Sequence, residues 1–261
     1  MSKRLNKHKN MWEDNKKFYQ LLYGIDVDAE KDLKKKLSEI KEEKISLIEL
    51  ITISMSNLNG KIRDEFLNKD IKTVEIGPGE GIMAKWLSDY VGHVYCFDIS
   101  ETMLDACKKY TSKIKNISTH LIGYHPVKYK QISDYLIDKG MGNGIDMVYS
   151  QSVFVHLNPY DFYIYFKDLY PLLKTNALLW IDIIDCDVEK FTFNEKELQR
   201  QMDSYRQFMD YSGKYQNLKT MYYINSKSAL EKIGKELGYH LVWSESSIYN
   251  PINVSLIFKK V

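Results

Sequence analysis

Arginine is scarce in this chain: Arg4, Arg63, Arg200 and Arg206 are the only four among 37 basic side chains. Lysine carries the rest, and 35 acidic residues leave a net charge of +2. Readout of phosphates and base edges leans on the forked guanidinium, so this composition speaks against a nucleic-acid substrate. It also supplies no overall field that would draw the chain to a membrane. Cysteine is scarce too. Cys96, Cys107 and Cys186 are odd in number and contain no C-x-x-C pair, which excludes a disulfide scaffold and suits a reducing cytoplasm. Cys96 within a strand and Cys107 on a helix's apolar face read as buried thiols. Long hydrophobic runs are missing, since Glu49 interrupts the most apolar stretch, residues 45–55, well short of a membrane span. The first ten residues are basic but lack the apolar centre of a signal peptide. No internal repeat or low-complexity linker divides the 261 residues, a length that buries a sizeable core.

What is present is organised around Val74-Glu75-Ile76-Gly77-Pro78-Gly79-Glu80-Gly81. A β-branched approach (Thr73, Val74, Ile76) reads as a buried strand, and Ile82, Met83, Trp86, Leu87 and Tyr90 fall on one face of a helix. Strand, glycine turn and helix form a nucleotide-type pocket, where backbone approaches ligand without a Cβ between them. The spacing is G-x-G-x-G, whereas a diphosphate-binding fingerprint runs G-x-G-x-x-G. Glu75, two residues before the first glycine, would repel a diphosphate and would hold an ammonium. Seventeen residues past Gly81, the run His93-Val94-Tyr95-Cys96-Phe97 ends in Asp98. A carboxylate at such a strand tip accepts two ribose hydroxyls, or else caps the strand.

These two segments resemble the class I S-adenosylmethionine-dependent methyltransferases: the glycine segment as their first motif, then Phe-Asp-Ile-Ser with Met103 and Leu104 after it. The resemblance extends more loosely over residues 70–185 and returns near the C-terminus. It implies an α/β, Rossmann-like fold. That fold has a seven-stranded, mostly parallel sheet, helices on both faces, an antiparallel last strand and a helical N-terminal cap over residues 1–70. Residues 71–261 would form the methyltransferase domain, with a helical, lid-like insertion at about 186–225. The implied cofactor is S-adenosylmethionine, with S-adenosylhomocysteine as product. Glu75 would take its amino group, Asp98 its ribose, and Gly77, Pro78, Gly79 and Gly81 would give the backbone approach. Ile99 and Met103 would pack on the adenine. Many family members carry an aspartate after the third strand. This chain has Gly123-Tyr124-His125-Pro126 there, so the adenine would be held by stacking on Tyr124 or His125, or by backbone groups. Ser150 and Gln151, after the fourth strand, would meet the methionyl end.

In chain order, strands are expected at 72–76, 93–99, 117–122, 145–149 and 177–184, then two more at 240–243 and 254–258. Ser100 opens one helix. Asn158-Pro159-Tyr160-Asp161 superficially matches the Asn-Pro-Pro-Tyr box of N-methyltransferases, but it lies several residues past the strand end with one proline missing. An N-cap followed by proline at the first helical position explains it better. The N-terminal Trp12 and Tyr19 read first as packing residues and second as candidates to line the pocket. Tyr205 and Tyr211, in the aromatic insertion, suit either a lid over a polar substrate or a homodimer interface.

Methyl transfer from a sulfonium is an in-line displacement, and an oxygen acceptor must also lose a proton. His156 is the expected base, His125 the second candidate, and Asp182 or Asp185 the third. Asp182, Asp185 and Asp187 could bind a divalent metal, but the place where metal-dependent relatives draw their ligands reads Ser150-Gln151-Ser152, so no metal is expected. The function read from the residues is methylation of a small polar or sugar-like metabolite, most readily at oxygen. The alternatives are an RNA or protein methyltransferase, an NAD-dependent oxidoreductase, which Glu75 and the glycine spacing oppose, and a non-catalytic binder.

Overall fold

The computed structural model describes residues 66–123, 131–188, 223–246 and 253–261. Five helices and eight strands lie among them. In chain order these are β1 (Lys72–Ile76), α1 (Ile82–Ser88), β2 (His93–Asp98), α2 (Glu101–Tyr110), β3 (Ile117–Leu121), α3 (Ile132–Ile137) and β4 (Ile145–Tyr149). A 3₁₀ turn (Phe154–His156) leads into α4 (Pro159–Leu169), followed by β5 (Leu173–Asp185), β6 (Ile224–Asn225), α5 (Lys227–Glu236), β7 (Tyr239–Ser246) and β8 (Asn253–Lys260). The sheet runs β3-β2-β1-β4-β5-β8-β7, with β6 pairing the carboxyl end of β5. Pairs among β1 to β5 are parallel, and β8 is antiparallel to both β5 and β7. The expected Rossmann-like sheet with a reversed last strand is therefore present. The two-residue β6 is an addition too short for periodicity to reveal.

Alternation along the strands divides the core between two faces. Val74, Ile76, Val148, Leu179 and Ile181 meet Phe162 and Phe166 of α4 and Leu230 of α5. On the other face Cys96, Met147, Tyr149 and Trp180 meet Ala84 and Leu87 of α1 and Cys107 of α2. Each large apolar side chain fully buried here contributes roughly 1.5–3 kcal/mol. Cys96 and Cys107 are buried free thiols and Cys186 is half-buried. Among the described residues no helix is long and apolar enough to cross a membrane.

The local signals act as their chemistry requires. The Ser100 hydroxyl accepts from Met103 N–H at 3.2 Å and starts α2. Asn158 Oδ1 accepts from the N–H groups of Tyr160 and Asp161, while Asp161 Oδ2 accepts from Asn158 N–H. That reciprocal cap, with Pro159 in the first turn, is what this tetrapeptide does. β5 begins earlier than its apolar run, at Leu173, because its first residues are partly exposed and polar and the β4–β5 register shifts there before pairing resumes at Met147 and Leu178. Nearly all of the N-terminal extension and of the 186–225 insertion falls outside the described residues, and with them Trp12, Tyr19, Tyr205 and Tyr211. Tyr124 and His125 also fall outside them.

Candidate active site

The chain places β2 on one side of β1 and β4 on the other, and at such a switch in winding direction the loops part to leave a crevice at the carboxyl ends of the strands. The glycine loop lies there. Gly77 N–H donates to Phe97 O at 2.8 Å, which ties the loop to β2, and Gly81 N–H donates to Pro78 O at 2.8 Å, which closes the turn. All three glycines have positive φ, 69°, 54° and 87°. A Cβ on Gly77 would sit 2.2 Å from Val153 Cγ2, and one on Gly81 would sit 2.7 Å from the Cys107 sulfur. A Cβ on Gly79 would meet nothing within 4 Å. The outer two glycines thus serve close packing, and the middle one opens outward, as a cradle for a ligand does. Pro78 between them is buried.

Glu75 alternates with Val74 and Ile76 and therefore points to the opposite face, between Cys96 on β2 and Tyr149 on β4, its register partners. The carboxylate is 3 % exposed, and the Cys96 thiol donates to it at 3.8 Å. Burial pushes its pKa up to about 8; the thiol contact opposes that rise and the like charge of Asp98 adds to it. No ion pair reaches Glu75 among the described residues. A buried carboxyl of this kind is costly unless a cation meets it, so the pocket fits an ammonium.

Asp98 ends β2 half-buried, and its Oδ1 accepts from Ser100 N–H at 2.9 Å. It therefore caps the strand-to-helix turn while standing at the crevice. Ile99 beside it is half-buried and Met103 is buried on α2. The loop after β4 is fastened at both sides. Ser150 donates its hydroxyl to Ile76 O at 2.9 Å, so its first task is to brace the end of β1. Tyr149 donates its hydroxyl to Gln151 Oε1 and packs edge-on against Trp180, ring centroids 4.9 Å apart. Ser152, with φ 57°, donates its N–H to Asp182 Oδ1 on β5 at 2.8 Å. Burial raises Asp182 to about 7, against the pull of that N–H, and raises the Tyr149 phenol, with Glu75 and Asp182 adding to the effect.

His156 lies in the turn after β4 and is 6 % exposed. Asp185 and Asp187 hold the start of α5. Asp185 Oδ1 accepts from Asp187 N–H at 3.0 Å and Lys227 N–H at 2.9 Å. Asp187 Oδ2 accepts from the Ser226 hydroxyl at 2.9 Å and Ser228 N–H at 2.8 Å. With Cys186, ligating atoms of these two residues lie within 4.8 Å of one another, while Asp185 Oδ1 and Asp187 Oδ2 are engaged in capping. Glu75, Asp98, the glycines, Ser150 and Gln151 are thus gathered at one edge. Neither Tyr149 nor the rank of Asp182 was evident from the sequence, because Tyr149's place beside Glu75 and Asp182's bond to Ser152 depend on strand pairing.

The family profile described as "Methyltransferase domain" matches residues 74–181. No curated protein sequence matches the chain. Among solved structures, it is similar to a putative sarcosine dimethylglycine methyltransferase from Galdieria sulphuraria, at 15 % identity and a TM-score of 0.57, covering 95 % of this chain and 98 % of that one. It is also similar to magnesium protoporphyrin IX methyltransferase from Synechocystis PCC 6803 with bound S-adenosylhomocysteine, at 14 % identity and TM-score 0.56, covering 83 % and 85 %. A third is phosphoethanolamine N-methyltransferase 2 from Haemonchus contortus, at 17 % identity and TM-score 0.55, covering 79 % of this chain and 52 % of that one. At these identities the likenesses establish the fold.

Proposed function

We propose that this chain is a class I S-adenosylmethionine-dependent methyltransferase, as its methyltransferase-domain match over residues 74–181 supports, and that it methylates a small polar metabolite or sugar-like molecule, at oxygen in the first instance. The observation that carries the reading is Glu75, a buried carboxyl with no ion pair among the described residues, in the crevice between β1 and β4. When bound, S-adenosylmethionine supplies a methyl carbon already activated by its sulfonium, so the reaction needs no metal as Lewis acid. The chain's part is to hold and align. Glu75 takes the amino group of the methionyl moiety, and Ser150 and Gln151 line its other side. Asp98 accepts the ribose hydroxyls, Gly77, Pro78, Gly79 and Gly81 admit the close approach, and Ile99 and Met103 back the adenine.

The near-neutral charge and scarcity of arginine favour a small acceptor over RNA. So do the names of the similar structures, which act on a porphyrin and on a phosphoethanolamine. For an oxygen acceptor a proton has to leave, and among the described residues His156 and Asp182 are the groups at this edge that can receive it.

Asp98→Asn tests the donor assignment. The amide oxygen still accepts from Ser100 N–H, so the turn survives, but two charge-assisted hydrogen bonds to the ribose weaken. We expect S-adenosylhomocysteine affinity to fall about 10- to 100-fold in calorimetry with little change in Tm. Unchanged affinity would place the ribose elsewhere.

A further inference from the structure

On β5, Leu179, Ile181 and Ile183 enter the core beneath α4 and α5, so Trp180 and Asp182 project to the face that carries Glu75, Cys96 and Tyr149. Trp180 is level with Tyr149 in the register, and Asp182 lies two residues nearer the carboxyl edge. Asp182 is half-buried. Its Oδ1 is held by Ser152 N–H at 2.8 Å, and the same loop is held to β1 through Ser150 and Ile76 O at 2.9 Å. One short loop thus braces the end of β1, the strand that carries Glu75, and holds the Asp182 carboxyl, with Tyr149 on the strand between them.

The groups around Asp182 leave it the character of a proton acceptor. β4 presents the Tyr149 phenol, which lies within electrostatic reach of both carboxylates, β1 presents Glu75, and β8 presents Ser255 opposite it. No ion pair reaches Asp182 among the described residues. Desolvation leaves its pKa at about 7, the range in which a base works best at neutral pH. His156, in contrast, is 6 % exposed in a turn whose flanking Phe154 and Leu157 enter the α4 core.

We propose that Asp182 is the group that faces the transferred methyl and receives the acceptor's proton, so that the acceptor is a hydroxyl- or amine-bearing small molecule. The proposal rests on the donor assignment above. The Asp182 carboxylate takes the proton from the nucleophilic oxygen or nitrogen as that atom's lone pair bonds to the methyl carbon and the carbon–sulfur pair returns to sulfur. The proton then passes from Asp182 to water.

The test needs no acceptor. Wild type, Asp182→Asn and Asp182→Ala are titrated with S-adenosylhomocysteine and with sinefungin, whose amine-bearing carbon stands where the sulfonium and its methyl would be. A carboxylate facing that point makes a charge-assisted contact with the amine, so wild type binds sinefungin about tenfold more tightly than S-adenosylhomocysteine. In Asp182→Asn, which keeps the acceptor for Ser152 N–H, the preference disappears while S-adenosylhomocysteine affinity stays within about twofold. Asp182→Ala loses the loop brace as well, and weakens both ligands. A wild type with no sinefungin preference, or a preference that survives in Asp182→Asn, overturns the proposal. If wild type binds neither ligand, the donor assignment fails and this proposal falls with it.

Discussion

At pH 7, binding of S-adenosylhomocysteine is expected to release close to one proton per molecule bound. Glu75 is the source. Burial pushes its pKa up to about 8, so the unliganded carboxyl is mostly protonated at pH 7. An ammonium placed against it favours the ionised form and brings the pKa down past 7. Calorimetry in two buffers of different ionisation enthalpy measures the proton count, which should shrink as the pH is raised through 8. In Glu75→Gln the release should vanish and affinity should fall by about two orders of magnitude, the cost of a lost charge-assisted contact. A full proton release in Glu75→Gln would contradict the assignment.

The same residue sets a stability trend of definite sign. A carboxyl whose folded pKa is raised binds more protons folded than unfolded between the ordinary glutamate range and about 8. Stability is therefore lost as the pH rises through that window. Unliganded Glu75→Gln escapes the loss and should be more stable than wild type at pH 9, by up to about 5 kcal/mol. Such a substitution gains stability as it loses binding, the trade expected of a site that keeps a buried charge for its ligand.

The second large effect is expected at Gly77. Alanine there would bring a Cβ to 2.2 Å from Val153 Cγ2, at a φ of 69°. Overpacking of this kind costs about 1–3 kcal/mol, and the left-handed backbone adds roughly 1 kcal/mol for a residue other than glycine. Gly77→Ala should therefore lose about 2–4 kcal/mol, and Tm should fall by about 8 °C. Gly79→Ala meets no neighbour and should lose only the backbone part, roughly 1 kcal/mol. Adding Val153→Ala to Gly77→Ala should return much of the steric part, so that the two substitutions are non-additive in a double-mutant cycle. Additive losses would mean that Val153 does not press on the loop.

These residues also show what a sequence carries on its surface and what it withholds. Strand, glycine turn and helix at 72–88 are contiguous, so each signal lies within one window of the chain, and Glu75, Gly77, Gly79 and Gly81 were readable together. Asp98 followed, because the next strand's length fixes where its tip falls. Ser100 and Asn158 were readable as caps, since capping is a contact of three residues. The partners of Glu75 were not. Cys96 and Tyr149 flank it only through the parallel register of β1 with β2 and β4, which no local pattern encodes. The Ser152–Asp182 bond joins residues 30 apart in sequence, a contact that no single window of the chain contains. The reversed β8 came through family resemblance, since its composition matches that of any buried strand.

The most direct measurement is calorimetric titration of the purified full chain with S-adenosylhomocysteine, with NAD as the control. Saturable one-to-one binding of S-adenosylhomocysteine and no heat from NAD are expected. Binding of NAD, or no binding of S-adenosylhomocysteine, would contradict the donor assignment.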